Sequence, residues 1–237
     1  MTGYLINKIS DKDVITRTQR IFSSAVQVAK ELGYEYCAYG IKAAIPIVKD
    51  RGVLFSNYPV SWQDIYDERG YIEIDPAVRY ALLNSAPLAW TQKTFETTPH
   101  LWADMERAGL HSGWIQSHRV GIGVNALFTV ARGSQAVAKR FTKFKRVDLI
   151  GLSHLVHKGI SKYLAPQFTT ESCSEMTKRE KEVLKWTALG KTASEIGKIL
   201  SIADSTVNFH VANVIKKMAV INKTQAAVKA TALGLIF

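Results

Sequence analysis

The chain has 237 residues, is 47% hydrophobic, and carries a formal net charge of +11 with only two cysteines. That length and apolar content suit one large globular domain or two smaller ones. Cys37 and Cys173 lie far apart without a CxxC partner, which excludes a disulfide framework and a structural zinc site, and no run of about 18 apolar residues is present to cross a membrane. The first residues, MTGYLINKISDKD, set charges where a signal peptide needs its apolar stretch, so the expectation is a cytoplasmic protein. The basic excess points to a polyanionic partner and is uneven, with net +6 over the last 62 residues and +5 over the first 175.

In chain order, DKDVITRTQRIFSSAVQVAKEL reads as an amphipathic helix, because Ile15, Ile21, Phe22, Ala25, Val26 and Ala29 recur near helical period. Asp11 and Asp13 fall inside it. YEYCAYGI and NALFTVAR read as strands, with Gly121 and Gly123 marking a turn before the second. DPAVRYALLN reads as a short helix and FKRVDLIGLSHLVHKGISKYLA as a long one. Helices interleaved with antiparallel strands predict an α+β fold whose N-terminal part is an α/β/α sandwich around a mostly antiparallel sheet. The segment APQFTTESCSEM is polar, small and proline-bearing, a linker signature. The expected organisation is therefore a first domain over 1–165, a linker over 166–176 and a second domain over 177–237.

The tail reads as four short helices. Thr177 with Glu180, and Thr192 with Glu195, form capping boxes; Gly190 stops the first helix, while Asp204 and Thr224 are placed to cap the third and fourth. On the third helix Val207, Val211, Val214 and Met218 make one apolar stripe. The other side carries Ser205, Asn208, Phe209, Ala212, Asn213 and Lys216. A short helix packed on a preceding short helix, with such an outer face, has the geometry of helix-turn-helix reading of double-stranded DNA, and the hydroxyls of Thr192 and Thr206 are placed beside it. A solvated basic bundle fits the same spacing.

Resemblance narrows this choice. The tail from MTKREKEVLKWTALGKTASEIGKIL through STVNFHVANVIKKM resembles the LuxR-type helix-turn-helix, with Glu180, Leu184 and Gly190 at the family's near-fixed positions. The resemblance implies that Thr177 and Glu180 are structural capping residues rather than DNA contacts. Some relatives place basic residues where this chain has Asn208 and Ala212, and arginine or lysine is the usual reader of guanine, so the operator sequence does not transfer. Asn208 can pair with adenine, touch a phosphate, or touch nothing.

The first 165 residues resemble the N-acyl-homoserine-lactone-binding domain of quorum-sensing regulators, on Tyr58, Trp62, Tyr66, Asp75-Pro76, Trp90 and Gly113. A phosphorylation-controlled receiver would instead need an acidic cluster near its start, and Asp11 and Asp13 do not supply one. An acyl-homoserine lactone has a lactone carbonyl, an amide N–H and an amide carbonyl on an apolar tail, and a pocket burying it must answer each polar atom. Tryptophan and tyrosine suit the task because each brings a large apolar wall with one polar tip. The resemblance implies that Trp62 donates to the lactone carbonyl, Asp75 accepts from the amide N–H and Tyr58 donates to the amide carbonyl. Trp90 then packs on the lactone ring, Tyr66 lines the chain and Thr129 adds a polar contact.

Each of these residues also has a local reading. Trp62, Tyr66 and Trp90 are core types, and Asp75 before Pro76 is a helix N-cap with proline at the first position. Trp102 and Trp114 read as packing, with Trp102 the better placed of the two to touch ligand. His154 and His157 sit three apart, but only Asp148 in that helix could join them, so no metal and no cofactor are expected. A solvated or dimer-facing helix is the alternative for that pair. The resemblance further implies a homodimer on a two-fold operator, an acyl-homoserine lactone as signal, and contact with RNA polymerase if the protein activates. No GxSxG elbow, HxxxH-type cluster or catalytic carboxylate pair points to an enzyme. A regulator of the same architecture tuned to a non-lactone small molecule is the alternative.

Overall fold

The computed structural model describes residues 11–43, 52–121, 124–133, 143–169, 176–232 and 234–237. Cys173, Gly123 and the linker stretch 170–175 lie outside them. The chain divides into two compact units, the first reaching Leu164 and the second essentially Ala165–Phe237.

In the first unit α1 (Lys12–Glu31) leads to β1 (Tyr36–Ala43) and β2 (Gly52–Ser56), then α2 (Val60–Glu68), α3 (Pro76–Leu83), β3 (Leu88–Trp90), α4 (Pro99–Arg107), β4 (Ser112–Gly121), β5 (Val124–Arg132) and α5 (Lys143–Thr169). Asp11 precedes α1 as its N-cap, accepting from the amides of Asp13 and Val14, so it is not inside the helix as the pattern suggested. The long helix runs four residues into the stretch read as a linker.

The five strands lie in the order β2-β1-β5-β4-β3, with β1 antiparallel to both β2 and β5, and β3 antiparallel to β4. Alternation sends neighbouring side chains to opposite faces. Tyr39, Phe55, Trp114 and Phe128 face α1 and α5: Phe22 of α1 meets Phe55 at 5.8 Å, and His157 of α5 meets Tyr39. Gly159 lets α5 close on α1, since a Cβ there would lie 3.2 Å from Ile21. Tyr36, Leu127, Ala131 and Ile115 face the other way, into a core shared with α2, α3 and α4. Helices thus cover both faces of the sheet.

The second unit is all helical: α6 (Lys178–Ala188), α7 (Ala193–Leu200), α8 (Asp204–Lys217) and α9 (Lys223–Ala232). Both expected capping boxes form, and Gly190 ends α6 at φ +82°. Two expected caps differ. Ala203 is the extended residue before α8, so Asp204 is its first helical residue, and Asn222 rather than Thr224 caps α9 by accepting from the Gln225 amide at 2.8 Å. Gly197 is required where α7 turns toward α8, because a Cβ there would lie 2.7 Å from the Ile202 carbonyl oxygen.

Candidate ligand site and nucleic-acid interface

The seven side chains singled out in the first unit come together. Trp62, Trp90 and Trp102 are buried in one core cluster with Tyr58 and Tyr66 packed against it. Trp62 meets Tyr66 edge-on at 5.5 Å; Phe95 bridges Trp90 at 6.0 Å and Trp102 at 5.6 Å. Such aromatic contacts fix ring orientation as well as burying area. The Trp102 indole N–H meets no acceptor among the described residues. Trp114 packs on Phe128 across the opposite face of the sheet, away from this cluster.

Asp75 shows how one carboxylate serves two ends. Its Oδ1 caps α3 by accepting from the Ala77 and Val78 amides at 2.8 and 3.2 Å, and its Oδ2 accepts from the Tyr66 hydroxyl at 3.0 Å. Burial pushes this carboxyl above its usual range, against the opposing pull of the two amides and Tyr66. Burial, then the charge of Asp75, raises the Tyr66 hydroxyl well above its ordinary value. Burial likewise raises Tyr58, whose hydroxyl is hydrogen-bonded to Thr129 on β5. Thr129 pairs across the strands with Ala38.

Gly113 has a clear backbone role. It lies opposite Trp90 in the β3/β4 register, and a Cβ there would fall 2.2 Å from both the Trp90 ring and the Val130 carbonyl oxygen. Only glycine lets that indole lie flat across the strand.

Sequence reasoning missed Tyr36, which stacks on Tyr58 at 5.5 Å, together with Phe95, Tyr71 and Asp104. Tyr71 and Asp104 meet across 33 residues, a separation that no local pattern encodes.

His154 and His157 gain a third histidine. The His118 ring of β4 stacks on His157 at 4.6 Å and lies 6.2 Å from His154. Hydroxyls engage one nitrogen of His118 and one of His157: His118 Nε2 meets Ser153 at 2.5 Å and His157 Nδ1 meets Tyr39 at 3.0 Å. Among the described residues no group of three metal-ligating side chains could hold an ion.

On α8, Val207, Val214 and Met218 are buried and Val211 half-buried, as the stripe required. Ser205, Asn208, Phe209, Ala212 and Lys216 are exposed, Phe209 to 62%, while Thr206 and Asn213 are half-buried. Thr192 is exposed at the start of α7, but its hydroxyl accepts from the Glu195 amide and donates to the Glu195 carboxylate at 2.9 Å. That bonding makes it first a cap. Buried Glu180 accepts from the Thr177 amide at 2.7 Å and from Lys217 Nζ at 2.9 Å, tying the start of α6 to the end of α8.

Comparison with known proteins agrees with this architecture. The autoinducer binding domain matches residues 17–160, and the bacterial regulatory proteins of the luxR family match residues 174–230. The chain is 39% identical over 217 residues to the transcriptional activator protein SolR of Ralstonia solanacearum, covering 92% of each chain. It is 34% identical over 225 residues to the transcriptional activator protein AnoR of Acinetobacter nosocomialis, covering 94% of each. Among solved structures, SdiA in complex with octanoyl-rac-glycerol superposes with a TM-score of 0.76 at 28% identity, covering 92% of this chain and 89% of that one. These relatives are regulators of transcription, not enzymes. With a buried aromatic cluster on one face of an antiparallel sheet, a helix-turn-helix unit in the C-terminal part of the chain and two domain matches spanning most of it, the protein belongs to the LuxR family of quorum-sensing transcriptional regulators.

Proposed function

We propose that the protein binds an N-acyl-homoserine lactone within the aromatic cluster of its first domain and, as a cytoplasmic homodimer, binds promoter DNA through α8. One observation carries the ligand reading: Asp75 is buried at the edge of the cluster, with one oxygen committed to capping α3 and the other, among the described residues, accepting only from Tyr66. A carboxylate oxygen has room for a second donor, and an amide N–H beside an apolar chain is the donor that suits it. Trp62 and Tyr58 then answer the lactone and amide carbonyls, Trp90 and Trp102 wall the ring, Tyr66 lines the chain, and Thr129 backs Tyr58. The organisation is a ligand domain over 1–165, a linker within 166–176 and a DNA-binding domain over 177–237.

On α8, Ser205, Asn208, Phe209, Ala212, Asn213 and Lys216 form the reading face, with Thr192 and Thr206 at its margin. Asn208 suits adenine, and the apolar Phe209 and Ala212 suit the thymine methyl group. Val147 and Leu155, 62% and 69% exposed two turns apart on α5, support a partner subunit against that helix. Where the protein activates transcription, RNA polymerase is a further partner.

The test is selection of double-stranded DNA from a random pool by the full chain, with and without N-acyl-homoserine lactones. Two-fold symmetric sites recovered only or preferentially with a lactone are the expected outcome; identical recovery without one contradicts the signal role. A second reading keeps the architecture and replaces the lactone with another acylated polar head. The octanoyl-rac-glycerol complex of SdiA favours it.

A further inference from the structure

Asp104 lies on α4, only 2% exposed, and three donors converge on it. The Tyr71 hydroxyl donates to Oδ2 at 2.7 Å, Arg69 Nη1 donates to the same oxygen at 2.6 Å, and the Arg107 guanidinium pairs with Oδ1. Arg69 and Arg107 are 53% and 73% exposed, so their attraction to the carboxylate is screened. The Tyr71 bond is wholly buried and has no water to compete with it.

Tyr71 in turn touches Asp75, Tyr66 and Trp62. Its backbone carbonyl accepts from the Asp75 amide at 2.9 Å. Its ring stands edge-on to Tyr66 at 5.9 Å and lies 6.2 Å from Trp62. Tyr66 then donates to Asp75 Oδ2, so main chain and rings both run from Asp104 to the acceptor.

We propose that Asp104, acting through Tyr71, is a positioning residue that holds Asp75 in place to accept an amide N–H, and thereby sets the preference for a head group that carries one. This rests on the ligand reading given above. The competing role is a plain staple between α4 and the turn after α2. A staple lowers affinity for all ligands alike, whereas a positioning residue changes the ratio between a ligand that feeds Asp75 a proton donor and one that does not.

The experiment measures Kd on the full chain for two probes: whichever of N-hexanoyl-, N-octanoyl- and N-dodecanoyl-homoserine lactone the wild type binds most tightly, and its ester isostere with oxygen in place of the amide N–H. A bond from an N–H to a buried carboxylate gives the wild type a preference of about tenfold or more for the amide. In Tyr71→Phe, which removes one hydroxyl and leaves Asp104 paired with both arginines, the ratio is expected to fall to about threefold or less, and Asp104→Asn should act in the same direction. If Asp104→Asn does not fold, Tyr71→Phe decides alone. Affinity for both probes reduced by one common factor, with the ratio unchanged, overturns the positioning role and leaves the ligand reading standing. A wild type that binds none of the three lactones overturns both.

Discussion

At the scale of single residues, the polar atoms of the cluster were the most legible part of the molecule. Tyr58, Trp62, Tyr66 and Asp75 lie within 18 residues of one another, and their chemistry is visible as residue type and spacing. The parts that were not legible are set by contacts across the fold: Tyr36 reaches Tyr58 from a strand, and Gly113 is fixed by an indole that register alone brings opposite it. On α8 the roles sort by chemistry. Lys216→Ala should weaken binding to all double-stranded sequences and make the slope of log affinity against log salt shallower by about one. Asn208→Ala should instead change which bases are preferred, at about 1–3 kcal/mol for a contacted position. Fluorescence anisotropy on a panel of single-base operator variants checks both, and equal effects on every sequence contradict the sorting.

At the scale of elements, apolar periodicity marked α1 and α8, each of which buries one stripe, and capping boxes marked the starts of α6 and α7. Helix starts were less secure. Asp204 and Asn222 show why: α8 starts one residue early, after Ala203, which makes no side-chain cap, and α9 is capped by Asn222 two residues before Thr224. Glu180 joins a cap to a tertiary contact. Burial alone would raise its carboxyl, but Lys217 and the Thr177 amide outweigh it and hold the pKa below the ordinary 4.5. A depressed carboxylate stabilises fully above its unfolded value and loses that contribution as pH falls through the folded one. Glu180→Gln should therefore cost about 1–3 kcal/mol near neutral pH, and little once the wild-type carboxyl is protonated, as denaturant titrations at pH 7 and at acid pH would measure. A cost that does not shrink in acid contradicts the ionic role.

At the scale of the whole molecule, length and composition fitted one domain or two, and the polar, proline-bearing stretch suggested the division; the compact units part between Leu164 and Ala165, while α5 itself continues through Thr169. The three-histidine packing between β4 and α5 was invisible, since His118 lies 36 residues from His154 in sequence. Burial, with the charges of His157 and His154, lowers His118 to about 4, and burial with His154 lowers His157; Ser153 and Tyr39 face the pair as neutral hydroxyls. Because folding lowers these values from 6.5, the stability they confer is complete above about pH 6.5 and is lost as pH falls toward 4. Melting of the first unit should drop by roughly 5 °C or more across that window, and His118→Gln should flatten the drop. An unchanged pH profile in the variant removes the cluster from the account.

Asp75 and its aromatic neighbours are proposed to receive an acyl-homoserine lactone. The most direct test is the thermal melt of the full chain, wild type and Asp75→Ala, with lactones of graded chain length beside homoserine lactone lacking a tail and octanoyl-rac-glycerol. A chain-length-dependent rise is expected in the wild type, reflecting a stabilisation of RT ln(1 + [L]/Kd), about 2.7 kcal/mol at a hundredfold excess over Kd, and its loss in Asp75→Ala. No rise with any lactone in folded, ligand-free wild type, or an equal rise in the variant, would contradict it.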